Sequence, residues 1–256
     1  FSQKILSAKK PIIIIGESAL ELKSGGYIFE ELKKFLKKNN LINENWNGLN
    51  ILVQNASTVG LLDLKILQDK KEKSSSFFND LKNRKFKLLY LLGSDNLEFQ
   101  KNDEFIVYQG SHGDRGAEVA DIILPSATYT EQNGLYANLE GRIQECKKAS
   151  YPIGEALEDW KIFNRIVKKL GFKDNTANFD ELRKEILETV PNFSKINELP
   201  KKSEIKINNI ESSFFCEKIF ARELDYYFTN SISRSSKTMS ECRQIRQKIK
   251  KDGTNN

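Results

Sequence analysis

"NDEFIVYQGSHGDRGAEVADIILPS", residues Asn102–Ser126, decides the fold. Its first nine residues form an apolar-rich run that stops at Gly110, and "ADIILPS" (Ala120–Ser126) is a second run closed by Pro125. Short apolar runs bounded by glycine or proline read as strands. The same punctuation occurs upstream in "PIIIIGES" (Pro11–Ser18), "LNILVQNAS" (Leu49–Ser57) and "FKLLYLLGSDN" (Phe86–Asn96). The four consecutive isoleucines of the first run predict a strand buried on both faces, as in a parallel sheet. Between the first two strands, "GGYIFEELKKFLKKNN" (Gly25–Asn40) places Ile28, Phe29, Leu32, Phe35 and Leu36 at helical spacing with lysines opposite. Strand, helical spacer and strand in alternation predict an α/β fold with a doubly wound, largely parallel sheet. In such sheets ligands bind at the carboxyl ends of the strands, so Ser94–Asp95 and Gly110–Gly116 belong to the candidate crevice.

Downstream the pattern changes. In "GLYANLEGRIQECKKA" (Gly134–Ala149), Leu135, Ala137 and Leu139 alternate with polar residues, and Gly141 offers a turn, which predicts a small β hairpin. "EALEDWKIFNRIVKKLG" (Glu155–Gly171) is an amphipathic helix with Gly171 as its stop. "NFDELRKEILETVPNF" (Asn178–Phe193) is another, with Asn178 as N-cap, Glu181 three residues on, and Pro191 after its end. The expected organisation is an α/β domain with hairpin over residues 1–150, a helical extension over 151–200, and a polar and aromatic arm over 201–256. The charged, serine-rich stretch Lys70–Ser76 reads as a surface insertion. The aromatic segment Phe214–Phe228 needs something to pack on, and Phe214, Phe215, Tyr226, Tyr227 and Arg234 are the expected partner contacts, because interfaces favour aromatic residues and arginine.

Composition narrows the function classes. The formal net charge of the 256 residues is +6, which a solvated lysine-rich surface accounts for, and no base-stacking platform or groove-reading helix is legible, so nucleic-acid binding is not expected. Three scattered cysteines without a CxxC exclude a disulfide framework, a zinc site or an iron–sulfur site made by this chain alone. No apolar run approaches the ~20 residues of a membrane span. The glycines of "GSHGDRG" (Gly110–Gly116) fit neither the dinucleotide nor the P-loop spacing, so close backbone approach is their expected role. The lone His112, beside Asp114 and Arg115, is the best acid–base candidate. A general base needs an orienting partner, and a hydrogen-bonded turn histidine is the plainer reading.

A longer block resembles a known family. "ADIILPSATYTEQNGLYANLEGRIQ" (Ala120–Gln144) is similar to a block of the molybdopterin oxidoreductase superfamily. Together with "VYQGSHGDRGAEVAD", "LLGSDN", "EALEDWKIFNRI" and "YYFTNSISRSSKTMSEC", it looks like the C-terminal half of the large iron–sulfur subunits of respiratory complex I. The resemblance runs in patches from Pro11 to Cys242. It implies a molybdopterin-type α/β domain with a hairpin and C-terminal helices, kept as a scaffold without its pterin. In that reading His112, Asp114, Asn138, Glu140 and Arg142 are a vestigial cofactor wall, and this chain carries no cofactor or metal. Iron–sulfur clusters are expected on a separate N-terminal partner chain, with this chain a split-gene product or a fragment. The expected setting is the peripheral arm of complex I on the matrix side of the mitochondrial inner membrane, or on the cytoplasmic face of a bacterial membrane. The alternative readings are a pterin-binding part of a molybdenum or tungsten oxidoreductase, and a free-standing enzyme using His112.

Overall fold

The computed structural model describes residues 2–66, 79–94, 100–173, 176, 178–200, 205–208, 213–216, 218 and 225–253. The Lys70–Ser76 stretch, Asp95 and most of 217–224 therefore lie outside the described residues. The fold is α/β with parallel sheets, and it divides into two compact units that interleave along the chain.

The first unit takes residues 1–68, 135–145 and 186–222. It opens with α1 (Ser2–Ser7), β1 (Ile13–Gly16), α2 (Glu17–Leu20) and α3 (Gly25–Lys38). A small hairpin follows, β2 (Ile42–Asn43) with β3 (Trp46–Asn47), then β4 (Leu49–Leu52) and α4 (Thr58–Asp63). β1 pairs in parallel with β4, from Ile13 opposite Leu49 to Gly16 opposite Leu52. With one neighbouring strand, the isoleucine run is not buried on both faces: Ile15 is buried, while Ile14 is 59% exposed. The expected apolar face of α3 is present, and Leu36 is fully buried. The same helix also buries Glu30 and Lys33, which the lysine-out pattern did not indicate. Their ammonium and carboxylate lie 2.6 Å apart. Lys33 donates to the Lys206 carbonyl at 2.8 Å, and Glu30 accepts from the Asn208 amide at 3.0 Å. Buried Ser24 binds both backbone groups of Phe215, accepting from its N–H at 2.7 Å and donating to its carbonyl at 3.1 Å. Lys206, Asn208 and Phe215 are thus tied to the start and middle of α3 by buried polar groups.

The second unit takes residues 69–134, 146–185 and 223–256. Its sheet holds β5 (Leu88–Leu92), β6 (Phe105–Gly110) and β7 (Ile122–Pro125), all parallel and in that order, with the short helix α5 (Arg115–Glu118) between β6 and β7. One face is a packed apolar cluster of Leu81, Leu89, Leu91, Ile106 and Tyr108. The other face carries α6 (Asp159–Lys169): the rings of Tyr90 and Phe163 stack at 5.6 Å, and Ile162 is buried. Helices on both faces of a parallel sheet are the doubly wound arrangement. Gly171 ends α6 as expected, in left-handed geometry (φ +78°), with the Phe172 and Gly171 amides returning to Val167 and Lys168. α7 (Phe179–Thr189) starts where Asn178 accepts from the Glu181 amide at 3.0 Å.

The predicted hairpin is β8 (Gly134–Ala137) with β9 (Ile143–Cys146). A short 3₁₀ turn (Pro191–Ser194) follows α7, and the chain reaches α8 (Ser231–Ser235) and α9 (Lys237–Gly253). Among the described residues, no helix is long and apolar enough to cross a membrane.

Candidate functional site

A crevice lies at the carboxyl ends of β5 and β6 and just beyond β7, but of the described residues expected there only Gly110 and Ser111 line it; Ser94 and residues 112–116 do not. It is a cleft of about 380 Å³. Gly93, Gly110 and Ser126 line it where the three strands stop, and Gln109, Gln132 and Asp159 form its floor. Strand spacing places the first of these floor residues. Gln109 is the penultimate residue of β6, so its side chain emerges on the α6 face, one step from Tyr108 on the opposite face. There Gln109 donates to Asp159 at 2.6 Å and accepts from the Tyr90 hydroxyl. The Gln132 amide nitrogen reaches the other Asp159 oxygen and the Ala127 carbonyl, each at 3.2 Å. Gln109 is fully buried, so this satisfied network fixes the geometry of the floor. The sequence reading missed Gln109, Gln132 and Asp159. Gln109 is the last polar residue of its strand and Asp159 the first residue of α6, but only the fold brings them and Gln132 together.

The glycine-rich turn has a packing role. Tyr108 is 1% exposed, and its hydroxyl donates to the His112 carbonyl at 2.8 Å. A methyl carbon on Gly110 would lie 2.2 Å from that hydroxyl oxygen. One on Gly116 would lie 2.8 Å from the Tyr108 ring and 2.8 Å from the Ser94 carbonyl. Both glycines therefore make room for one aromatic ring, whereas Gly113 meets nothing.

His112 is half-buried, and its ring Nδ1 lies 2.9 Å from Ser111 Oγ. Asp114 caps α5 by accepting from the Arg115 amide at 2.8 Å, and it forms an ion pair with Arg234 Nε at 2.5 Å. Burial pushes the Asp114 carboxyl up, but hydrogen bonds from Arg234 and the Arg115 amide outweigh it and hold its pKa below the usual aspartate value. Asn138, Glu140 and Arg142 belong to the other unit. Asn138 accepts from the amides of Glu140 and Arg142 at 3.0 and 2.9 Å, which builds the hairpin turn with Gly141 at φ +79°. The Arg142 guanidinium donates to the Asn197 carbonyl at 2.9 Å, and Glu140 is exposed.

Of the expected contact residues, Phe214, Phe215 and Tyr226 are 65%, 50% and 62% exposed. Tyr226 and Tyr227 lie under the Arg246 guanidinium, 5.4 and 5.9 Å from their ring centres. Arg234 does not face solvent; Asp114 holds it. Asn230–Ile232, at the start of α8, also line the crevice.

A parallel sheet with helices on both faces, its glycine-turned strand ends and the hairpin block that follows define a class. The chain belongs to the molybdopterin oxidoreductase family, which matches residues 1–169. Residues 209–242 match a second family, the C-terminal region of the G subunit of NADH-ubiquinone oxidoreductase. Over 248 residues the chain is 39% identical to the NADH-ubiquinone oxidoreductase 75 kDa subunit of Reclinomonas americana, covering 96% of this chain and 36% of that one. It is 37% identical to the G subunit of NADH-quinone oxidoreductase from Rickettsia bellii (99% and 36%). It is also 37% identical to the mitochondrial NADH-ubiquinone oxidoreductase 78 kDa subunit of Candida albicans (94% and 34%). The chain thus spans about a third of the length of these relatives.

The family name implies a pterin, a phosphate-bearing cofactor. The residues present do not fit it well. Among the described residues lining the crevice, the one charged side chain is the Asp159 carboxylate, which repels a phosphate.

Proposed function

We propose that the chain is a structural, non-catalytic part of the peripheral NADH-dehydrogenase arm of respiratory complex I. It supports electron transfer from NADH to quinone by a cluster-bearing partner chain. The observation that carries this reading is similarity over nearly the whole chain to subunits of that name, in both halves of the sequence. The partner would be the N-terminal, iron–sulfur part of the same subunit, on the matrix side of the mitochondrial inner membrane or its bacterial equivalent. Exposed Phe214, Phe215 and Tyr226 supply large apolar area at little entropic cost, which suits them to that contact. Asp114, Asn138 and Arg142 make backbone and ion-pair bonds, which supports reading them as groups kept for packing.

Affinity purification from mild detergent, with mass spectrometry and metal analysis, tests this. The expected result is recovery with a cluster-bearing chain and other complex I subunits, with iron and without molybdenum. Recovery alone, or with pterin and molybdenum, overturns it; the second outcome installs a molybdenum or tungsten oxidoreductase instead.

A further inference from the structure

The crevice and the C-terminal segment explain each other. We propose that the Asn230–Arg234 turn is a built-in strap: it forms one wall of the crevice at the strand ends, and the Arg234–Asp114 ion pair fastens it to the turn after β6. The inference stands on the crevice itself and does not need the complex I assignment.

Three observations carry it. First, Asn230, Ser231 and Ile232 line the same cleft as Gly93, Gly110 and Ser126, so residues more than 100 positions apart close one cavity. Second, the strap is rigid where it turns. Asn230 accepts from the Ser233 amide at 2.9 Å, and the Ser233 hydroxyl accepts from the Asn230 amide at 3.1 Å, a reciprocal cap that fixes the entry to α8. Third, the fastening is largely shielded from water. The Arg234 and Asp114 side chains are 17% and 19% exposed, and Arg234 also donates to the Phe228 carbonyl at 3.4 Å. A charge-assisted pair shielded in this way holds its geometry better than an exposed one.

The chemistry of the strap matches its seat. The three strap residues that line the crevice are uncharged, and the floor beneath them carries the Asp159 carboxylate. A neutral amide and a hydroxyl can lie over a carboxylate without repulsion, whereas a phosphate cannot. Arg234, a cation near the crevice that could bind a phosphate, is turned to Asp114. The strap thus adds no positive charge to the crevice and takes a nearby cation out of play.

The test uses the protein as purified, together with any partner chains that accompany it. Hydrogen exchange is followed by mass spectrometry over 228–236 and over the strands, and guanosine diphosphate serves as the nucleotide probe. In the unaltered protein the Ser233 and Arg234 amides should be protected, and the probe should not bind. Arg234→Ala should raise exchange over 230–236 roughly tenfold while β5 and β6 stay protected. Asp114→Asn keeps a residue that caps α5 equally well but removes the charge, and it should give the same effect. The double variant should exchange no faster than either single one, because both remove one contact. Free exchange at 233–236 in the unaltered protein, independent effects of the two substitutions, or probe binding with Arg234 in place would each overturn the proposal. If Arg234→Ala prevents assembly, Asp114→Asn alone decides between the outcomes.

Discussion

Substituting Gly110 with alanine should unseat Tyr108. The added methyl carbon would sit 2.2 Å from the tyrosine hydroxyl oxygen and 2.4 Å from the ring carbon that bears it. Tyr108 cannot swing away, because it is 1% exposed and belongs to the cluster with Leu89, Leu91 and Ile106. Overpacking a core by one methyl costs about 1–3 kcal/mol. Displacing the ring also breaks the bond from the tyrosine hydroxyl to the His112 carbonyl, worth about 1 kcal/mol. The combined loss of about 2–4 kcal/mol corresponds to a fall in Tm of about 4–16 °C in a chain of this size. Thermal or urea unfolding of Gly110→Ala measures it. The control is the same substitution in a Tyr108→Leu background, where the shorter side chain leaves the space empty and the added cost should drop below about 1 kcal/mol. A Tm unchanged within about 2 °C, or an equal cost in both backgrounds, would refute the idea that the glycine exists to seat the ring.

Two further outcomes follow from the charges. Glu30→Ala leaves Lys33 buried without its carboxylate and should cost about 3–5 kcal/mol, whereas Glu31→Ala, which breaks the exposed pair with Lys34, should stay within about 0.5 kcal/mol; urea unfolding compares the two directly. Asp114 is held below its unfolded-state pKa, so as the pH falls the unfolded chain takes up the proton first. Its contribution is therefore full above about pH 4 and fades as pH falls through the folded pKa, and unfolding titrated from pH 7 to pH 3 should show a shallower slope for Asp114→Asn.

Much of the α/β layer is legible from local pattern. Strand ends at Gly93, Gly110 and Pro125, the α6 stop at Gly171 and the Asn178 cap are local events, decided by neighbouring residues. The parallel pairing of β5, β6 and β7 follows from the same runs, because spacers of about a dozen residues suit a crossover rather than a tight hairpin, and successive strands tend to be neighbours. The exposed side of β1 was not legible, because periodicity does not say how many strands flank a run. Nor could local pattern reveal that Glu30 and Lys33 turn inward: their partners are the backbone of Lys206 and Asn208, more than 170 residues away. The crevice position was readable from strand polarity, and its electrostatic character was not. Asp159 reads in sequence as an ordinary first-turn acid of a helix; only the fold brings Gln109 and Gln132 to it.

The ties from α3 to Lys206, Asn208 and Phe215 have a consequence for how the chain is made. A ribosome adds about 5–20 residues per second. When α3 has emerged, the backbone groups that satisfy Glu30, Lys33 and Ser24 have yet to be translated, and the wait is on the order of 10–40 s at that rate. During that interval the helix presents an apolar stripe beside an unquenched ion pair. The first unit cannot be finished in order of synthesis: its early helix waits for the chain's own later segment to arrive and close it.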